Sequence, residues 1–169
     1  EKREMIAPLS LIASAFAPVR DVRTTLTPQL RTDKGDTDLI LVDLGKGKNR
    51  LAASALAQVY NQVGHQAPDL DDPEALKSFF EVLQDLRSGG LILAYHDRSD
   101  GGLLATLTEM SFAGHVGITA SLGELGEQLL PALFNEELGA VLQVSHFDTD
   151  AVLETFRDAG LGHYTHVIG

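Results

Sequence analysis

The sequence predicts an α+β fold, a mixed sheet covered by helices. Three observations carry this: the buried-strand run TDLILVDL at Thr37 to Leu44, a fully signalled helix beginning at Pro73, and helices and strands that alternate without a strict βαβ repeat. With 169 residues, 44% hydrophobic and 22% charged, the chain can bury a continuous core as one domain spanning residues 1–169.

The elements follow in order. Leu9 to Val19 is apolar with small residues interleaved and prolines at its flanks, and reads as a strand. Thr24 to Leu30 favours β structure, and Thr37 to Leu44 is a strand broken by Gly45, Lys46, Gly47 and Lys48. Leu51, Ala55, Leu56, Val59, Tyr60 and Val63 recur at helical spacing, so a helix over Leu51 to Val63 is expected, closed by Gly64. Asp72, Pro73 and Glu74 then give an N-cap, a first-turn proline and an acid at the positive end of the dipole. The helix they start runs to about Arg87 and should bury Leu76, Phe79, Phe80, Leu83 and Leu86 before Gly89 and Gly90 end it. Leu91 to Tyr95 reads as a strand. Gly102 to Ala113 reads as a helix with Leu103, Leu104, Leu107, Met110 and Phe112 inside, ended by Gly114. A short strand at Ile118 to Leu122, a helix at Leu129 to Leu138, a strand at Ala140 to Ser145, a helix over Asp148 to Ala159 capped by Asp148, and a strand at His163 to Ile168 complete the expectation. There is no fixed-period repeat and no low-complexity segment.

Composition excludes several chemistries. The absence of cysteine removes disulfides, thiolate zinc sites and cysteine nucleophiles from these residues. No apolar run reaches the roughly 20 residues of a membrane helix, and Glu1, Lys2, Arg3, Glu4 is no signal-peptide start, so a soluble protein is expected, compatible with the cytosol. The net charge of −11 is uneven: residues 1–64 hold 9 basic and 7 acidic side chains, residues 65–169 hold 4 and 17. Such a surface disfavours nucleic acid, yet admits a nucleotide carried by a divalent cation. The chain starts at Glu1 and stops directly after the apolar pair Val167 and Ile168, which suggests a domain excised from a longer polypeptide.

The densest chemistry lies in Tyr95 to Leu104, where an apolar strand passes through a polar turn into a helix. Asp97, two residues after Tyr95 in strand direction, is a hard oxygen ligand of the kind magnesium takes. Ser99 beside it can reach a phosphate or ribose oxygen. Asp100 reads as the N-cap of the following helix, while Gly101 and Gly102 permit positive φ and close backbone approach. A capped turn with no ligand would use the same residues, and His96 reads as a strand histidine packed against its neighbours.

Other candidates are weaker. Lys46, Lys48 and Arg50 with Gly45 and Gly47 superficially suggest a phosphate loop, but the Gly-Lys-Ser/Thr ending is missing and a solvated loop is expected. Asn135, Glu136 and Glu137 read as an exposed acidic face. His65, His115, His146, His163 and His166 lack zinc spacing, and no Gly-x-Ser-x-Gly elbow supports a serine hydrolase.

Taken together, HDRSDGGLLATLTEMSFAG (His96 to Gly114), FNEELG (Phe134 to Gly139) and TDLILVDLGKGKNRLAASALAQVY (Thr37 to Tyr60) closely resemble the formylglycinamide ribonucleotide amidotransferase family, the phosphoribosylformylglycinamidine synthases of purine biosynthesis. The resemblance runs through essentially the whole chain and is nearest to the large single-chain bacterial form. It implies a C-terminal-type domain of the aminoimidazole ribonucleotide synthetase superfamily. Large members of the family hold two N-type and C-type domain pairs and a glutaminase. Ser99 and Asp100 before two glycines resemble the second C-type copy, which helps to hold an auxiliary ADP or ATP with magnesium. By this resemblance Asp97 is a magnesium ligand and Ser99 a nucleotide contact, and no catalytic residue is implied in this segment. The implied partners are the N-type synthetase domains, the glutaminase and the nucleotide, in a cytoplasmic enzyme and with neither nucleic acid nor membrane. The isolated segment is expected to be inactive, and a non-catalytic interaction domain without a ligand is the alternative. One departure is Leu51, Ala52, Ala53, Ser54, where the family often has Leu-Gly-Gly-Ser.

Overall fold

The computed structural model describes residues 12–19, 21–126 and 128–169. Four strands, β1 (Thr37–Asp43), β2 (Ile92–Asp97), β3 (Gly139–Ser145) and β4 (Thr165–Val167), form one sheet in the order β2-β3-β1-β4. The α+β class stands, but the sheet is antiparallel rather than mixed, every adjacent pair running in opposite directions. β1 and β2 run in the same direction, but β3 lies between them and no parallel ladder forms.

Helices cover both faces. α2 (Pro73–Ser88) and α5 (Thr149–Asp158) lie on one side, where Phe79, Val82, Leu86, Val152 and Phe156 meet Ile40, Val42, Leu142 and Val144. The Phe79 and Phe156 rings stack there with centroids 6.5 Å apart. α3 (Gly102–Gly114) covers the opposite side, placing Leu103, Leu107 and Met110 on Leu39, Leu41, Ala94 and Val141. Because successive strand residues point to opposite faces, burial on both sides requires the middle of β1, Leu39 to Val42, to be apolar at every position. This is why TDLILVD reads as an unbroken hydrophobic run.

The capping signals of α2 hold: Asp72 accepts from the Ala75 N–H at 3.0 Å. Its inner face is Ala75, Phe79, Val82 and Leu86, whereas Phe80 is 59% exposed. In α3, Leu104 and Phe112 are likewise exposed, and Thr106 takes an inner position.

Several expected elements are shorter or irregular. Of Leu9 to Val19, residues 9–11 lie outside the described residues, and 12–19 form no strand. Thr24 to Leu30 is not a ladder strand, although its Thr27 carbonyl accepts from the Tyr95 N–H at 2.9 Å along the outer edge of β2. The helix expected over Leu51 to Val63 contracts to α1 (Ala55–Val59). The chain folds back on itself there: Ala52 N–H donates to Gln66 O and Ala53 N–H to Val63 O. Ile118 to Leu122 makes one bond to the β4 side, Ser121 N–H to Ile168 O, but no strand. α4 (Leu129–Phe134) stops four residues early because Asn135 turns extended and its amide donates to the Pro131 and Ala132 carbonyls. Asp148 occupies the N-cap position of α5 without a side-chain cap bond, and β4 begins at Thr165 after a 3₁₀ turn at Gly162–Tyr164.

Candidate functional site

The carboxyl ends of β1 and β2 and the amino end of β3 meet at one end of the sheet, with Asp43 opposite Gly139 and Asp97 opposite Ala140. Four chain segments converge there: the glycine loop after β1, the turn before α1, the turn between β2 and α3, and the connection from α4 to β3. All three motifs that carry the family resemblance therefore share one rim.

Beneath the rim lies a buried polar network. The Arg98 guanidinium, 2% exposed, pairs with Asp43 at 2.5 Å, and its Nε donates to the Glu137 carbonyl at 2.7 Å. Asp43 also accepts from the Gly45 and Gly47 N–H groups, at 3.2 and 2.7 Å. The Glu137 side chain is fully buried and takes Arg50 in a two-pronged pair, with Nε and Nη2 each 2.7 Å from a carboxylate oxygen. Arg50 continues outward to Asp71 at 2.7 Å, where Lys48 also binds at 3.0 Å. A buried charge survives only when paired and hydrogen-bonded, and here each is. The pairing with Glu137 raises the Arg50 pKa, and Lys48 and then Arg50 hold the Asp71 carboxyl below its ordinary value. Asp72 is lowered chiefly by its cap bond from the Ala75 N–H.

This corrects two sequence readings. Arg50 is not part of a solvated loop, because its side chain is mostly buried and pairs with Glu137 and Asp71, whereas Lys46 and Lys48 are solvent-exposed as expected and reach Asp72 and Asp71 at the surface. Asn135 and Glu137 are not an exposed acidic face, because both are wholly buried. Glu136 is half-buried, and its Oε1 accepts from the Ala55 N–H at 2.8 Å and the Gly101 N–H at 2.9 Å.

On top of the network sits the turn from Asp97 to Gly102. Arg98 N–H donates to Gly139 O at 2.8 Å, and Gly102 N–H to Ser99 O at 2.9 Å. Gly101 and Gly102 adopt φ of +84° and +68°, and a Cβ on Gly102 would lie 2.6 Å from the Asn135 carbonyl oxygen. Both glycines are thus required by sign and by space, since a Cβ on Gly101 would lie 2.8 Å from the Ala105 Cβ. Gly101 rather than Asp100 is the N-cap of α3, and no side chain closes that cap. Asp97 and Ser99 are both exposed, the Asp97 side chain by 68%. His96 is tucked in beside them, its Nε2 2.7 Å from Glu109 and its Nδ1 2.8 Å from the Asp97 carbonyl oxygen. Tyr95 is pushed up to about 12, mainly by burial and secondarily by Asp97.

Asp97 and Ser99 are thus brought together on one exposed turn. Among the described residues, no three His, Asp or Glu side chains are grouped to hold a metal ion. Asp43, Arg98 and Glu136 went unassigned or unread in the sequence. The available signal was a charged residue at the end of each apolar strand: Asp43 closes β1, and Arg98 follows β2 directly.

Comparison with known proteins agrees with this arrangement. Residues 38–169 match the family described as AIR synthase related protein, C-terminal domain. Among solved structures, Thermotoga maritima PurL complexed with ATP aligns over 87% of this chain and 23% of its own at 18% identity, with a TM-score of 0.62. The same protein complexed with FGAR gives 17% identity over 87% and 25%, with a TM-score of 0.65. Escherichia coli HypE, a hydrogenase maturation protein, gives 18% identity over 86% and 45%, with a TM-score of 0.56. The chain spans about a quarter of the length of the PurL structures it matches. On the family match, which covers all of the sheet but its first residue and every segment that meets at the rim, this chain belongs to the AIR synthase related C-terminal domain family.

Proposed function

We propose that the chain is one C-type domain, residues 1–169, of a formylglycinamide ribonucleotide amidotransferase, and that its rim forms one wall of a magnesium–nucleotide site for ADP or ATP. The observation that carries this reading is the division of labour within the turn. Arg98, Gly101 and Gly102 are held from below by β3 and the α4–β3 connection, while Asp97 and Ser99 stand exposed above them. The likeness to PurL structures complexed with ATP, AMPPCP and ADP supports the choice of ligand.

The donor set fits the group. One hard carboxylate and one hydroxyl lie next to the first turn of α3, whose backbone dipole favours an anion. Magnesium commonly takes only one or two protein carboxylates and completes its shell with water and phosphate. When bound, the ion supplies the positive charge that this acidic surface lacks. Asp97 would hold it, Ser99 would orient a phosphate or ribose oxygen, and the buried network would keep both in place without reorganisation. The parent enzyme would use ATP to activate the amide oxygen of formylglycinamide ribonucleotide for ammonia from glutamine. Cysteine-free, this chain carries no glutaminase nucleophile and would rely on glutaminase and N-type domains for the reaction. An apolar groove lined by Leu51, Leu56, Tyr60 and Leu130 supports cover by further protein.

Asp97→Ala in the full-length enzyme tests the site. Loss of bound nucleotide is expected; a variant that keeps its nucleotide and its thermal midpoint overturns the assignment. Sequencing the flanking coding region tests the domain assignment: an open reading frame confined to this segment would leave an interaction domain instead.

A further inference from the structure

We propose that Glu136 is a positioning residue that locks the turn bearing Asp97 and Ser99 to the turn before α1. The inference rests on the functional reading above for its consequence, but not for its geometry.

A single oxygen, Oε1, receives two backbone N–H groups from segments far apart in sequence, Ala55 at 2.8 Å and Gly101 at 2.9 Å. Each donor lies at or close to left-handed backbone. Ala55 opens α1 immediately after Ser54, and the preceding Ala53 is left-handed at φ +61°. Gly101 is the left-handed N-cap of α3 and lacks a side-chain cap of its own. Helix starts leave N–H groups unpaired, and a side-chain acceptor usually comes from the helix's own N-cap residue. Here α3 has none, and the carboxylate is brought in from the α4–β3 connection.

The rest of the connection fixes where Glu136 sits. Its neighbours on both sides are buried and bonded, Asn135 to Asn49 and the end of α4, and Glu137 to Arg50. Glu136 therefore projects from a rigid base toward two turns that, among the described residues, make no side-chain bond to each other across the rim, Ser54 being spent on Leu51 O and the Ala57 N–H. A carboxylate accepting two N–H donors makes charge-assisted bonds, which hold geometry more strongly than neutral ones. Ser99 lies two residues from Gly101, and its carbonyl closes the turn on Gly102. Fixing Gly101 thus fixes the hydroxyl and carboxylate that face the ligand.

The test uses the full chain for amide measurements and the full-length enzyme for binding, with Glu136→Gln and Glu136→Ala. In Glu136→Ala, amide exchange at Ala55 and Gly101 should accelerate together by about tenfold or more, the loss expected for charge-assisted bonds, while β1 and β3 amides keep their protection. Magnesium–ADP affinity should fall by about tenfold in the same variant, and Glu136→Gln, which retains an acceptor oxygen, should recover most of it. Glu81→Ala, an exposed acid on α2, should change neither reading. Independent exchange at the two amides overturns the lock. Loosened amides with unchanged magnesium–ADP affinity overturn the positioning role. If the unsubstituted enzyme binds no magnesium–ADP, the functional reading fails and the positioning role with it, and the amide result stands alone as a judgement on the lock.

Discussion

Ala53 and Gly102 show how single residues set the rim. Ala53 holds φ +61° on an exposed surface, a conformation costing L-residues roughly 1–2 kcal/mol, at a position where the resembling family often has glycine. Ala53→Gly should raise stability by about 0.5–1 kcal/mol, read as a higher urea midpoint with unchanged slope. At Gly102 both the positive φ and the Asn135 carbonyl oppose a side chain, so Gly102→Ala should cost about 3 kcal/mol or more and displace the start of α3. Tyr95 supplies a pH dependence. Its folded pKa of about 12 lies above the ordinary tyrosine value of 10.0, so the folded state retains a proton that the unfolded state has lost. Its contribution is complete below pH 10.0 and is lost as pH rises toward about 12. Tyr95→Phe should flatten the decline in stability across that window, and should remove a late-titrating component from the tyrosinate absorbance of the parent chain. At these positions the sequence showed the glycines and the Asp97–Ser99 pair, but the left-handed alanine was visible only as a departure from a pattern.

Among elements, the connection from α4 to β3 governs the site. Six residues from Phe134 to Gly139 supply the carbonyls for Arg98, the carboxylates for Arg50 and for the two turn amides, and the wall against Gly102. Periodicity alone extended α4 through these residues, because Leu129 to Leu138 is apolar at helical spacing. Asn135 ends the helix by bonding back to its last turn, a competition with the backbone ladder that asparagine is suited to. Arg98→Met should destabilise by about 3–5 kcal/mol, since it leaves Asp43 buried beside an apolar chain. Arg98→Lys should recover only part of that loss, because a single ammonium cannot also satisfy the Glu137 and Leu138 carbonyls in the same fork. Chemical denaturation of both variants distinguishes these outcomes.

At the scale of the molecule, the rim presents Asp97, Ser99 and a helix start, with no cluster of three metal-ligating side chains among the described residues, which is less than a complete site. The 169-residue chain by itself should therefore bind magnesium–ADP weakly or not at all by titration calorimetry, while the full-length enzyme retains it. Tight binding by the chain alone would contradict the shared-wall reading. The acid-rich second part of the chain meets part of its charge internally, through Lys46, Lys48 and Arg50 on Asp71 and Asp72. The lowered pKa values of these two aspartates place their stabilisation above the ordinary carboxylate range and remove it as pH falls below that range.

The sequence by itself determined the α+β class, the strands β1, β2 and β3, the helices α2, α3 and α5, and the polar turn after β2 that carries the pair Asp97 and Ser99, because these follow from local periodicity, capping and turn chemistry. Only the tertiary structure decided what lies beneath that pair. Asp43, Arg50, Arg98, Glu136 and Glu137 come from distant segments, and a charge's burial depends on partners that local pattern does not reveal. Antiparallel insertion of β3 between β1 and β2 brings those partners to one end of the sheet, and so makes an apparent acidic surface into the support of the turn.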